Sequence, residues 1–251
     1  MLKTRVIPCL LLRDLGLVKT VKFDNPKYVG DPINAVKIFN DKEVDELIFL
    51  DITATTENKK PNFELLSRIA SEAFMPFSYG GGIRSIDDIK KILEIGVEKV
   101  IINTYAYENP GFIKDASIKF GSQSIVVAID VKKKKEGYRV FVNSGRKKTE
   151  KDPVEYASEL EKMGAGEIFL NSIDKDGTME GYDINLIKKI SSVLSVPLIV
   201  CGGAGKLEDF RQAVEAGASA VAAGSLFVFI GPYRAVLITY PEKSKLEKIL
   251  K

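Results

Sequence analysis

The sequence predicts an α/β fold, a single (β/α)8 (TIM) barrel made of two duplicated half-barrels. Three observations carry this reading. Eight short apolar runs alternate with amphipathic segments along 251 residues. The runs are almost continuously apolar, as parallel strands covered on both faces are. The stretch GGIRSIDDIKKILEIGVEKVIINT (81–104) returns as GGAGKLEDFRQAVEAGASAVAAGS (202–225), at a constant offset of 121. Eight strand–helix units in a chain of this length suit a barrel. A doubly wound open sheet is the alternative arrangement.

In chain order the strand runs are RVIPCLLL (5–12), ELIFLDI (46–52), PFSYG (76–80), KVIIN (99–103), SIVVAID (124–130), EIFLN (167–171), PLIVCG (197–202) and AVAAG (220–224). The segments 86–96 and 207–217 are amphipathic helices that begin at an acidic pair and end at a glycine. FLDITA (49–54) matches FLNSID (169–174) at an offset of 120, which again pairs the halves. No low-complexity linker interrupts residues 1–251, so one barrel domain is expected, with an atypical C-terminal segment at 226–251. Two prolines and a β-branched run predict extended chain over 225–241.

Composition narrows the chemistry. The net charge of +3 gives no reason to expect nucleic acid or membrane as a partner. No run of eighteen apolar residues is present, and the N-terminus reads as a first strand rather than a leader. Cys9 and Cys201 lie in apolar runs, as buried reduced thiols of a cytoplasmic protein do. There is no histidine, so acid–base work falls to Asp, Glu, Lys, Tyr or Cys. No metal site or cofactor is expected.

Barrel chemistry lies at the C-terminal ends of the strands. Gly81 and Gly82 with Asn103 and Thr104 suggest one phosphate cradle. Gly202, Gly203, Gly224, Ser225 and Gly177 suggest a second, related to the first by the repeat. Two such cradles imply a long small molecule with a phosphate at each end. Between them Asp130 ends the fifth strand, Asp51 ends the second, Asp176 follows the sixth, and Lys19 stands in the loop after the first. Asp51 and Asp176 are equally readable as caps of the following turn. Asp130 precedes a lysine-rich hairpin (132–151), where capping has no helix to serve. That hairpin is a solvated excursion or a lid that attracts anions. At the opposite end Arg5, Glu46, Lys99 and Glu167 stand immediately before the first, second, fourth and sixth strands. They are either four solvated rim charges or a closed ring of ion pairs around a passage.

GDPINAVKIF, DELIFLDITA, GGGIRS, KVIINT, ENPGFI, FGSQSIVVAID, GAGEIFLNSIDKDGT and GGAGK together resemble the cyclase subunit of imidazole-glycerol-phosphate synthase, over nearly the whole chain. The resemblance implies a bisphosphate-binding barrel that receives ammonia from a glutaminase subunit docked on its N-terminal face. It also implies that Arg5, Glu46, Lys99 and Glu167 form the ammonia gate. In that family two aspartates close the ring. Asp130 matches one and Leu11 falls on the other, in the register where the two halves of this chain also align. Asn171 replaces a Thr, Tyr79 a small aliphatic and Ile101 a Ser. With the unusual segment after Ser225, these departures resemble a branch that supplies ammonia to an ATP-dependent sugar amidotransferase in surface-polysaccharide synthesis. The expectation is therefore a conduit whose ring-closing chemistry is lost. The alternative is a working cyclase, a lyase of histidine biosynthesis, in which Lys19 or Asp176 takes the missing role. A related two-phosphate sugar isomerase is a weaker option, since it too needs an aspartate at position 11.

Overall fold

The computed structural model describes residues 4–250. Eight strands build the barrel: β1 (Arg5–Arg13), β2 (Leu47–Asp51), β3 (Phe77–Gly80), β4 (Lys99–Ile102), β5 (Ile125–Lys134), β6 (Glu167–Ser172), β7 (Leu198–Cys201) and β8 (Ala220–Ala223). Each pairs in parallel with the next, and β8 pairs in parallel with β1. The sheet is closed, which rules out the open-sheet alternative.

Eight helices cover the outside: α1 (Pro32–Asp41), α2 (Phe63–Glu72), α3 (Ile86–Ile95), α4 (Gly111–Phe120), α5 (Pro153–Lys162), α6 (Ile184–Ser191), α7 (Leu207–Glu215) and α8 (Lys243–Ile249). Alternate strand residues point out to these helices, for example Leu10, Phe49, Val127 and Leu170. The others fill the barrel: Ile7, Ile48, Val126, Phe169, Ile199 and Ala220. Burial on both faces explains why these strands read as continuous apolar runs.

The duplication extends to capping detail. In α3 the Asp88 carboxylate accepts the backbone N–H groups of Arg84 and Ser85 at 3.3 and 3.1 Å. In α7, 121 residues on, Asp209 accepts those of Gly205 and Lys206 at 2.8 and 3.0 Å. Gly96 and Gly217, at the same offset, follow the two helices with φ of 110° and 106°.

Three elements depart from the sequence expectation. Beyond Arg13 the chain folds back, and Gly16–Val21 pairs antiparallel with β1, then with Asp24–Gly30. Lys19 is therefore a buried strand residue rather than a loop residue. The cause is the pairing of Leu11 with Val18 and Leu12 with Leu17, which buries apolar side chains that a loop would expose. Likewise β5 runs past Asp130 to Lys134 and pairs with Gly137–Val142, as a hairpin insertion should. After Ser225 the chain is only partly extended. Ser225–Val228 makes a helical turn, Phe229–Ile230 pairs with Ala235–Val236, and α8 follows Pro241. The proline-free stretch 242–250 is rich in Lys, Glu and Leu, which favour helix, and it buries Leu246. No helix among the described residues is long and apolar enough to cross a membrane.

Candidate functional site

At the N-terminal end of the barrel, Arg5, Lys99 and Glu167 are the first residues of β1, β4 and β6, and Glu46 precedes β2. Their side chains converge. Arg5 reaches Glu46 at 2.6 Å and Glu167 at 3.0 Å. Lys99 reaches Glu167 at 3.1 Å and Glu46 at 3.8 Å. The Ser78 hydroxyl donates to the other oxygen of Glu46 at 2.9 Å. Two cations and two carboxylates thus alternate in a closed ring, with Glu46, Lys99 and Glu167 buried. Burial disfavours the Arg5 charge, but Glu167 and Glu46 more than offset it, and the guanidinium pKa is raised. The solvated-rim reading of these four residues is excluded by this geometry. Ser78 was not visible as a member of the ring, since a lone serine inside an apolar strand run carries no signal of its own.

At the C-terminal end a cavity of about 460 Å³ opens to solvent. Gly81, Gly82, Asn103 and Thr104 line one side, and Gly177, Gly202, Gly203, Gly224 and Ser225 the other. Gly202 and Gly203 adopt φ of 90° and 117°. A Cβ on Gly203 would come within 2.2 Å of the Gly181 carbonyl oxygen, so the two loops meet only because this residue lacks a side chain. Ser225 Oγ is buried and has no protein partner, which leaves it available to an occupant. Asn103 departs from the cradle reading. Its side-chain amide donates to Asp130 Oδ2 and to the Ala128 carbonyl oxygen, both at 3.1 Å. Thr104 Oγ1 accepts the backbone N–H of Asn143 and so ties this side to the basic hairpin.

Between the two sides lie Asp130, Asp176, Lys19, Leu11, Asn171 and the two cysteines. Burial raises the Asp130 pKa to about 7, the nearby charge of Asp176 adds to this, and the Asn103 amide opposes it. Burial raises Asp176 as well, against the attraction of Lys19 and a 2.8 Å hydrogen bond from Thr20. The ammonium group of Lys19 donates to the Cys9 carbonyl oxygen at 3.1 Å. Asp51 behaves as a cap: its Oδ1 accepts from Thr53 N, Thr53 Oγ1 and Ala54 N, each at 2.9 Å. Asn171 Oδ1 is buried without a partner, beside Asp130 in the register of β5 and β6. Leu11 contributes no polar atom. Thr20 was not legible in the sequence, because its role depends on the hairpin that brings it to Asp176.

A family model described as "Histidine biosynthesis protein" matches residues 5–231. The chain belongs to this family, as a HisF-like member of the imidazole glycerol phosphate synthase cyclase type. A hisF2 protein of Pseudomonas aeruginosa, named as a candidate subunit of that synthase, is 55% identical over 249 residues, covering 98% of this chain and 99% of its own. A HisF protein of Leptospira interrogans, named in the same way, is 50% identical over 252 residues, 99% of each chain. The imidazole glycerol phosphate synthase subunit HisF of Campylobacter concisus is 48% identical over 225 residues, 90% of this chain and 89% of its own. The HisF-like family explains the closed barrel and its duplication. Leu11, Asn171 and Cys201 are features of the cavity in this chain.

Proposed function

We propose that this chain is an ammonia-using cyclase subunit of imidazole-glycerol-phosphate-synthase type, a lyase of histidine biosynthesis that works with a glutaminase. The observation that carries the reading is the pairing of a closed ion-pair ring at one barrel end with a two-sided glycine-lined cavity at the other. Between them the lining is apolar, from Ile7, Ile48, Val126, Phe169 and Ile199. Such a lining passes neutral ammonia and rejects ammonium, whose burial costs several kcal/mol. The glutaminase docks at the ring, and the two glycine-rich sides bind the phosphates of the substrate. Asp130, with its pKa near neutrality, is the proton donor and acceptor. Asp176, which accepts a hydrogen bond from Thr20 and feels the attraction of Lys19, supplies the second carboxylate where position 11 offers none. The relatives named as synthase subunits support this reading.

Leu11 supports a second one. A barrel without the first aspartate still conducts ammonia, and an ATP-dependent sugar amidotransferase is then its recipient. One experiment separates the two. Purified protein is given ammonium salt and the aminoimidazole-bearing bisphosphate precursor, and release of imidazole-glycerol phosphate is followed. Turnover that Asp130→Asn abolishes supports the cyclase. No turnover, together with a stable complex with a glutaminase, supports the conduit.

A further inference from the structure

The segment after Ser225 brings a positive charge to the second glycine-lined side of the cavity. Gly231–Arg234 is a tight turn, in which the Arg234 backbone N–H donates to the Gly231 carbonyl oxygen at 3.1 Å. Arg234 takes φ of 53° there, a left-handed conformation that residues with a side chain seldom adopt. Its guanidinium lies over the Phe229 ring, 5.1 Å from the centroid, and donates to the Gly177 carbonyl oxygen. Gly177 lines the cavity. That bond uses one of the five guanidinium N–H groups and leaves the charge in place.

Two lysines approach the same place from the fold-back after β1. Lys19 and Lys27 are cross-strand partners, so their side chains leave one face of that hairpin. Lys19 is buried, and a Cβ on Gly224 would come within 1.9 Å of its Nζ, so the ammonium group lies against the Gly224 backbone. Lys27 stands over the Phe229 ring at 5.8 Å, the ring that Arg234 also covers. Among the described residues none of these three cations forms an ion pair. Asp176 attracts Lys19, and Asp24 lines the same cavity, so three cations face two carboxylates. Like charges gathered in this way repel one another, and an anion set among them removes the repulsion. Ser225 Oγ, buried and without a protein partner, lines the cavity on this side.

We infer that Lys19, Lys27 and Arg234 bind a dianionic phosphate monoester on the Gly177–Gly224 side of the cavity, with Ser225 Oγ donating to one of its oxygens. The inference rests on the reading of that side as a phosphate cradle. It adds that the charge comes from outside the eight barrel units, from the fold-back hairpin and the ribbon after Ser225. Ser225–Val228 is only four residues long, so it brings little of the positive end that a longer helix offers an anion. The Arg234 guanidinium supplies that charge instead, and its planar fork matches two phosphate oxygens.

The test is a calorimetric titration of the intact chain with inorganic phosphate at low ionic strength. The parent is expected to bind two equivalents, one on each side of the cavity. Arg234→Gln keeps a donor for the Gly177 carbonyl oxygen and loses the charge. It should hold one equivalent at the parental affinity and the other about 10–100-fold more weakly. Arg234→Lys should recover part of that loss, and Lys27→Gln should weaken the same equivalent by a smaller factor. All three variants are first shown to keep the far-ultraviolet circular dichroism and thermal midpoint of the parent, and Lys27→Gln, an exposed change, carries the test if the turn at Arg234 does not tolerate replacement. Unchanged binding by Arg234→Gln or, in that case, by Lys27→Gln overturns the inference and leaves the cradle reading standing. Equal losses in Arg234→Gln and Arg234→Lys also overturn it, since the position then acts through its shape rather than its charge. No binding by the parent overturns the cradle reading itself, and the inference with it.

Discussion

Asp130 ties a local geometry to a measurable pH dependence. Its carboxyl keeps its proton up to about pH 7 in the folded protein, while in the unfolded chain it ionises near 3.8. Between these values the unfolded chain holds fewer protons, so this residue lowers stability as pH rises and has no further effect above about 7. Asp130→Asn should therefore gain stability relative to the parent across that window and then level off. The ceiling is about 4 kcal/mol, and water in the open mouth reduces it. Urea unfolding of both proteins at pH 5 and pH 8 measures the difference, and an equal gap at the two values contradicts the assignment. Leu11 poses the complementary question. Because Asp176 already supplies the second carboxylate, Leu11→Asp should leave ammonium-driven turnover nearly unchanged. A rise of about 10²–10⁴-fold would show that Asp176 does not fill the role. The sequence made both residues legible, because the repeat sets Leu11 against Asp130. It left Thr20, Ser78 and the Asn103–Asp130 bond unread, since those contacts join strands distant in the chain.

The helix starts of α3 and α7 are the strongest mark of duplication among the elements, and they carry a prediction of their own. Asp209 satisfies the two backbone N–H groups that lead into α7, and these have no other acceptor in the helix. Asp209→Ala leaves them unpaired beside the cavity loop that holds Gly203. The expected cost is about 1–3 kcal/mol. Asp88→Ala should cost a similar amount in the other half. Thermal midpoints of the two variants test this, and a loss in one half alone would mean that the caps are not equivalent. The periodic helices and apolar strands were readable because both signals are local. The fold-back after β1 was not, because it depends on Leu11 and Leu12 finding Val18 and Leu17 across a turn. The segment after Ser225 was half readable: its prolines mark the breaks, while the short ribbon and α8 are fixed by packing, as when Leu246 is buried and Tyr240 donates to the Val6 carbonyl oxygen at 2.9 Å.

Across the whole molecule, closure of the barrel is what brings residues 5, 46, 99 and 167 together, and the ring makes the closure testable. Glu167 Oε1 accepts from both Arg5 and Lys99, while its Oε2 has no partner. Glu167→Gln leaves two cations sharing Glu46, and Lys99→Met leaves two carboxylates sharing Arg5. Each variant strands a charge out of water, so each should cost about 3 kcal/mol. The double variant Glu167→Gln/Lys99→Met removes one charge of each sign and keeps the 2.6 Å pair of Arg5 with Glu46. It should recover most of the loss, which a double-mutant cycle from urea midpoints reads as a coupling energy of a few kcal/mol. Additive losses would mean that the four groups act independently, as solvated rim charges do. The cycle also bears on passage. A ring held by mutual neutralisation can open one pair at a time without stranding a bare charge in the apolar interior. On the proposed reading, a ring of independent charges has no such route, and ammonia would then have to cross a mouth occupied by hydrated ions.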